Sequence, residues 1–322
     1  MRNDYTVGIG YISTPTLFFG VIAMKIYDCF TFFNEFELLE LRLETLYDAV
    51  DYFVIVEANK THNNEPKPFN FLERRNDYRK YFPKIMYVPM EVDMEFKGDG
   101  DWAIENAQRN EIMRGLTDAE PDDLIFISDL DEIPSPYVVE RIMQNRQPIE
   151  ALYMFPFQQR GGKRIAVPCR LMVPAAQLLE YIPIAMQQTL HYYYLNLLST
   201  NPWFGSVLVK RKNLSVPQSI RNIREHIPRA LDGGWHFTYM GGFERLMTKI
   251  DSIVEGRPLM SRLSPEQKER KYLEQLIAEG KDIYGRTNHG KIDCRPCKLE
   301  DINLPTLDWF AKKYPHFVQH RS

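Results

Sequence analysis

Cysteine is scarce. Cys29, Cys169, Cys294 and Cys297 are the only four in 322 residues, which excludes a disulfide scaffold and points to a reducing, cytoplasmic setting. Neither sign of charge dominates: 40 Lys and Arg stand against 43 Asp and Glu, the formal net charge is −3, and no Lys/Arg block occurs. A broad nucleic-acid-binding surface is therefore not expected. No hydrophobic run has the length and density of a membrane span. The uncharged stretch over residues 6–24 is broken by Gly8, Gly10, Pro15 and Gly20, so no stable span is expected. Met24 can serve as a start codon, leaving residues 1–23 as an extension outside the fold. Internal repeats and low-complexity tracts are also absent.

What is present is alternation. Residues 25–31 read as a strand, and Asn34 followed by Glu37 has the spacing of an N-cap with its capping-box partner. Leu39, Leu43, Leu46 and Val50 then recur at helical spacing. Residues 52–57 and 85–88 read as strands and residues 103–116 as a helix. Residues 124–128 (LIFIS) form an apolar run of the kind a parallel sheet buries on both faces. Ser135-Pro136 is placed to cap a further helix. The fold class is therefore α/β, an open, mostly parallel sheet flanked by helices that binds ligands beyond the carboxyl ends of its strands. The second half is less regular. It offers a strand over residues 204–210, a glycine-rich turn and strand over 233–237, and a helix from Gly242 with Phe243, Leu246, Met247 and Ile250 on one side. Ser264-Pro265 with Gln267 starts another helix that Gly280 ends. No linker is evident, so one domain over residues 24–290 with a C-terminal helical tail over 291–322 is expected.

The run 124–128 leads directly into Asp129-Leu130-Asp131-Glu132-Ile133-Pro134. Alternate residues of an extended chain point the same way, so Asp129 and Asp131 can face one ligand. Two hard oxygen ligands at a strand end suit Mn²⁺ or Mg²⁺, which would hold a nucleotide diphosphate. The plain alternative is a solvated acidic loop that begins the next helix. A second rival is a phosphohydrolase of the haloacid-dehalogenase type, with Asp129 as nucleophile and Asp131 as general acid. Here Ile133-Pro134 follows the pair and about a hundred residues of α/β pattern precede it, unlike that arrangement. A third is a non-catalytic sugar-nucleotide-binding protein. Cys294 and Cys297 with His289 make half of a zinc signature and read as a local turn.

Several stretches in order, residues 27–34 (YDCFTFFN), 50–57 (VDYFVIVE), 66–68 (PKP), 102–110 (WAIENAQRN), 128–134 (SDLDEIP) and 233–242 (GGWHFTYMGG), together resemble glycosyltransferase family 17, the β-1,4-mannosyl-glycoprotein 4-β-N-acetylglucosaminyltransferases. The resemblance implies a GT-A-like fold, a UDP-N-acetylglucosamine donor, a glycan acceptor, a divalent metal and inversion at the anomeric carbon. It further implies Asp129 toward the donor's ribose or the metal, Asp131 as the principal metal ligand, and Glu132 in support or facing the acceptor. Glu57 would contact the uracil or ribose, or else simply pair with a Lys or Arg. Arg109, one turn after Glu105, would reach the diphosphate or form an i,i+4 pair. His236 would complete the metal shell or meet the β-phosphate, or else sit in the core. For the general base, Asp232, Glu244 and Glu132 stand as candidates. Trp203, Tyr193 and Trp235 are candidate sugar-stacking rings. A segment over residues 159–188 departs from the family's pattern and is expected to be an insertion. With no counterpart of a Golgi anchor and stem, a cytoplasmic or membrane-associated glycan acceptor is expected.

Overall fold

The computed structural model describes residues 24–155, 165–171, 173–284 and 293–320. The expected extension over 1–23, His289 and part of the expected insertion lie outside them. The first half alternates as read. Strand β1 (Ile26–Phe32) leads to helix α1 (Phe36–Leu46), β2 (Tyr52–Ala58), α2 (Asn70–Arg74), β3 (Ile85–Met90), α3 (Ala103–Asn110) and β4 (Leu124–Asp129). The four strands are parallel in the order β3-β2-β1-β4. β2 and β3 lie to one side of β1 and β4 to the other, so the carboxyl ends of β1 and β4 flank a topological switch point. Their residues Cys29, Phe30, Val54, Ile55, Ile125 and Ile127 are fully buried, as strands covered on both faces require.

Three local readings need correction. Asn34 does not cap α1: the helix starts at Phe36 with Glu35 at the N-cap and no side-chain cap, and Glu37 instead pairs with Arg245 at 2.5 Å. Glu132–Pro134 is a short strand, β5, rather than a loop. The helix after it, α4 (Val138–Met143), begins later than Ser135-Pro136, with Tyr137 at its N-cap.

The second half extends the same sheet with mixed directions. Its strands are β6 (Ile149–Phe155), β7 (Ile165–Leu171), β8 (Ile184–Tyr192), β9 (Leu197–Ser199), β10 (Trp203–Lys210), β11 (Arg229–Thr238) and β12 (Cys294–Pro296). β10 runs antiparallel to β4 and β8, while β8 and β11 are parallel. Part of the segment read as an insertion thus supplies β7 and the start of β8. Between the strands lie α5 (Ala175–Leu179), α6 (Pro217–Asn222), α7 (Phe243–Ser252), α8 (Gly256–Ser261) and α9 (Arg270–Glu279), and α10 (Leu307–Lys313) closes the chain. Ser264 and Gln267 exchange hydrogen bonds as a capping box, but over a 3₁₀ turn, and α9 starts only at Arg270. Gly280 ends α9 in the left-handed conformation, φ 69°. Cys294 and Cys297 form no local turn, because Cys294–Pro296 pairs with β9. All four cysteines are free.

The expected tail is built into the core. Leu304, Leu307, Phe310 and Phe317 pack on Leu38, Leu39, Leu43 and the rest of the buried face of α1. This is why α1 buries more than one stripe. Among the described residues, no helix is long and apolar enough to cross a membrane.

Candidate functional site

A cleft of about 690 Å³ opens at the switch point, within the size range of ligand pockets. Thr31, Phe32 and Asp129 from the ends of β1 and β4 form its floor, with Asp131 and Glu132 beside them.

The acidic turn is shaped by a buried cation that the sequence reading missed. Arg42 of α1 is fully buried and donates to both Asp28 oxygens, at 2.7 and 2.6 Å. Its Nη1 donates to the carbonyls of Asp129, Leu130 and Glu132 at 3.0, 3.0 and 2.8 Å. A buried guanidinium is stable only when its charge and donors are matched, and this matching fixes the backbone of residues 129–132. β11 stitches the other side: the Phe237 N–H donates to the Asp131 carbonyl at 2.8 Å, and His236 stands opposite Glu132 in the strand pairing. Gly234 permits this approach. Its φ is 135°, and a Cβ there would lie 2.1 Å from the Ile133 oxygen, so the glycine serves strand contact rather than ligand contact.

Each acidic side chain is met by cations. Asp129, about a third exposed, accepts from Arg109 Nη2 at 2.7 Å and from Arg221 Nη2 at 2.8 Å. Burial alone would raise its carboxyl, but the two guanidiniums hold it well below the usual range. Asp131 is buried, with Lys249 Nζ at 2.6 Å on one oxygen and His236 Nε2 at 3.3 Å on the other. There too burial is outweighed, by Lys249 and then His236, and the carboxyl is held low. Glu132 is buried, receives Arg221 at 2.5 Å and the Trp203 indole N–H at 2.6 Å, and accepts the Asp129 N–H at 2.9 Å. The Trp203 ring also lies 4.8 Å from the His236 ring, whose buried Nδ1 has no partner among the described residues.

The expected residues fare differently. Arg109 makes its i,i+4 pair with Glu105 at 3.0 Å, adds a bond to Asp129 that was not expected, and lines the cleft. Glu57 takes its pairing alternative. Its buried carboxylate accepts from Lys67 Nζ at 3.1 Å, the Phe71 N–H at 3.1 Å and the Tyr87 hydroxyl at 2.9 Å. Glu57 does not line the cleft; Lys67 does. Of the three base candidates, Asp232 lies exposed at the irregular part of β11 and Glu244 is exposed and paired with Arg270 at 2.6 Å, both outside the cleft. Glu132 is inside but fully engaged. Tyr193 and Trp235 pack in the core and do not line the cleft, whereas Trp203 does. Reading missed Arg221, Lys249 and Glu255. Lys249 left a trace: it is a charged residue at the edge of the Phe243-Leu246-Met247-Ile250 stripe.

The donors do not fit a divalent ion shared by Asp129 and Asp131. All four of their carboxylate oxygens already face Arg109, Arg221, Lys249 or His236. Among the described residues, no three His, Cys, Asp or Glu converge as a ligand set. In this structure side-chain cations stand at the carboxylates where Mn²⁺ or Mg²⁺ was expected.

The first half of this cleft has relatives. Residues 20–153 match the model of glycosyltransferase family 17. That segment is similar to the family. The β-1,4-mannosyl-glycoprotein 4-β-N-acetylglucosaminyltransferase of Homo sapiens is 33% identical over 108 residues, 32% of this chain and 20% of the relative. The enzyme of the same name from Rattus norvegicus matches at 33% over the same shares, and that from Mus musculus at 32%. The chain spans about a fifth of the length of these curated relatives. The family 17 segment holds Arg42, Arg109 and Asp129 to Glu132, and its place in a mixed sheet flanked by helices is consistent with a GT-A-like fold. Arg221, His236 and Lys249 lie outside it.

Proposed function

We propose that the cleft binds a UDP-sugar, with N-acetylglucosamine the favoured sugar, and transfers it with inversion to a hydroxyl of a glycan acceptor. One observation carries the reading: the segment similar to family 17 contains an acidic turn at the sheet's switch point, and Arg109, Arg221 and Lys249 are fixed around it. Asp129, Asp131 and Glu132 hold these cations at set positions beside the cleft, so a diphosphate would meet positive charge that is already placed. The relatives' names support the sugar. In a single displacement the acceptor oxygen attacks the anomeric carbon from the side opposite UDP, and the charge gathering on the departing diphosphate is met by the same three cations.

The test is donor turnover. The wild type is expected to hydrolyse UDP-N-acetylglucosamine slowly, and Asp131→Ala and Asp129→Asn to lose at least about tenfold of that rate, since each releases a cation from its place. Cleavage of simple phosphate esters through a phospho-aspartate at Asp129 would overturn the reading.

A further inference from the structure

The transfer needs a base for the acceptor hydroxyl, and none of the residues expected for that role is free at the cleft. Six carboxylates line it: Glu35, Glu105, Asp129, Asp131, Glu132 and Glu255. A carboxylate held by cations is a weak base, because each partner lowers its proton affinity. That disqualifies Asp129 and Asp131, and Glu132 has its oxygens taken by Arg221, the Trp203 indole and the Asp129 N–H. Glu105 is shared between Arg109 at 3.0 Å and His62 Nδ1 at 3.4 Å. Glu35 accepts the Asn34 N–H at 3.1 Å and stands in the field of Lys67, Lys249 and Arg245.

Glu255 differs. It sits at the junction of α7 and α8, exposed to the cleft, and its carboxylate meets only its own backbone N–H among the described residues. The next cation along the chain, Arg257, is turned away to Glu65 at 3.2 Å and Asp99 at 3.8 Å. The charged groups that face Glu255 are Glu105 of α3, Lys249 of α7 and His62 of the segment after β2. Loss of water between the cleft walls raises its carboxyl above the ordinary value, and the like charge of Glu105 adds to that, while Lys249 and His62 oppose it.

We infer that Glu255 is the general base of this cleft, taking the proton from the acceptor hydroxyl, or from water when no glycan is bound. This rests on the transferase reading above. The O–H proton passes to the Glu255 carboxylate as the acceptor oxygen forms its bond to the anomeric carbon. The bond from that carbon to the β-phosphate oxygen breaks, its electron pair leaves with UDP, and the proton later returns to solvent.

The experiment measures UDP-N-acetylglucosamine binding by calorimetry, with turnover to water and to a β-mannosyl glycopeptide across pH, for wild type, Glu255→Gln and Glu255→Asp. Glu255→Gln should bind donor within about twofold of wild type and lose at least about 100-fold in kcat. Wild-type turnover should fall on the acid side as Glu255 takes up a proton, and the residual Gln rate should lack that limb. Glu255→Asp should retain the limb and an intermediate rate. A Gln variant that keeps its rate or its acid limb, or that loses donor binding, would overturn the assignment. A wild type that binds no donor would instead sink the transferase reading, and the base with it.

Discussion

The two halves of the sheet hold the cleft by different means. In the first, Arg42 is buried beneath the acidic turn, and its partners are Asp28 and three carbonyls, so it shapes backbone and touches no ligand space. In the second, Arg221 and Lys249 reach across from α6 and α7 to side chains of that turn, 92 and 118 residues away in sequence. They line the cleft. The first half supplies the scaffold of the turn and one cation, Arg109, and the second supplies the other two, so damage to scaffold and to charge should be read out differently.

The largest effect is expected at Arg42. Arg42→Met leaves Asp28 buried without its cation and should cost about 3–5 kcal/mol of stability, measured by denaturant unfolding. Loss of donor affinity with unchanged stability would break the division between the halves.

The second half carries an acid-sensitive element of its own. His191 of β8 is buried, and burial pushes its pKa down from 6.5 to about 4, although its bond to the Leu195 carbonyl at 2.7 Å opposes this. The unfolded chain takes up a proton near pH 6.5 while the folded one stays neutral until about pH 4, so stability falls as pH drops through that window. Between those limits the wild type should lose about 3 kcal/mol relative to His191→Asn, followed by urea melts at several pH values. Asp129 and Asp131 act elsewhere on the scale. Their carboxyls are depressed in the folded state, so their stabilisation is complete above the ordinary carboxylate value and is lost only as pH falls toward their folded values. A pH-independent difference between wild type and His191→Asn would refute this account of β8.

Smaller effects separate charge from metal. Lys249→Gln should weaken UDP-N-acetylglucosamine binding by about tenfold or more, as loss of one charge-assisted contact implies, and calorimetry would show it. Removing divalent ions with EDTA should change wild-type affinity by less than about threefold, because side-chain cations already occupy the carboxylates. Binding that vanishes in EDTA and returns with Mn²⁺ would restore the ion to the site.

Legibility followed the same division. The parallel strands, the acidic turn and Arg109 were readable because neighbouring residues settle them: continuous apolar runs, a strand end and an i,i+4 spacing. Arg42 was not, since it hides inside a leucine-rich helix and a buried Arg becomes intelligible only once Asp28 and the turn's carbonyls surround it. Arg221 and Lys249 come from helices, and Glu255 from a helix junction, whose local pattern is that of ordinary surface. Their place depends on how α6, α7 and α8 dock on distant strands. Glu57 was visible but ambiguous, because a carboxylate at a strand end reads alike whether it faces a nucleotide or a lysine. The base candidates Asp232 and Glu244 were chosen for nearness in sequence to His236, and β11 and α7 direct them out of the cleft.

The central claim is that this cleft receives a nucleotide diphosphate on cations that its own carboxylates hold in place. A crystal structure of the protein with UDP tests it most directly. The account predicts the diphosphate oxygens within hydrogen-bond reach of Arg109, Arg221 and Lys249, above Asp129 and Asp131. UDP seated elsewhere on the molecule, or bound here with its phosphates turned away from those three side chains, would contradict it.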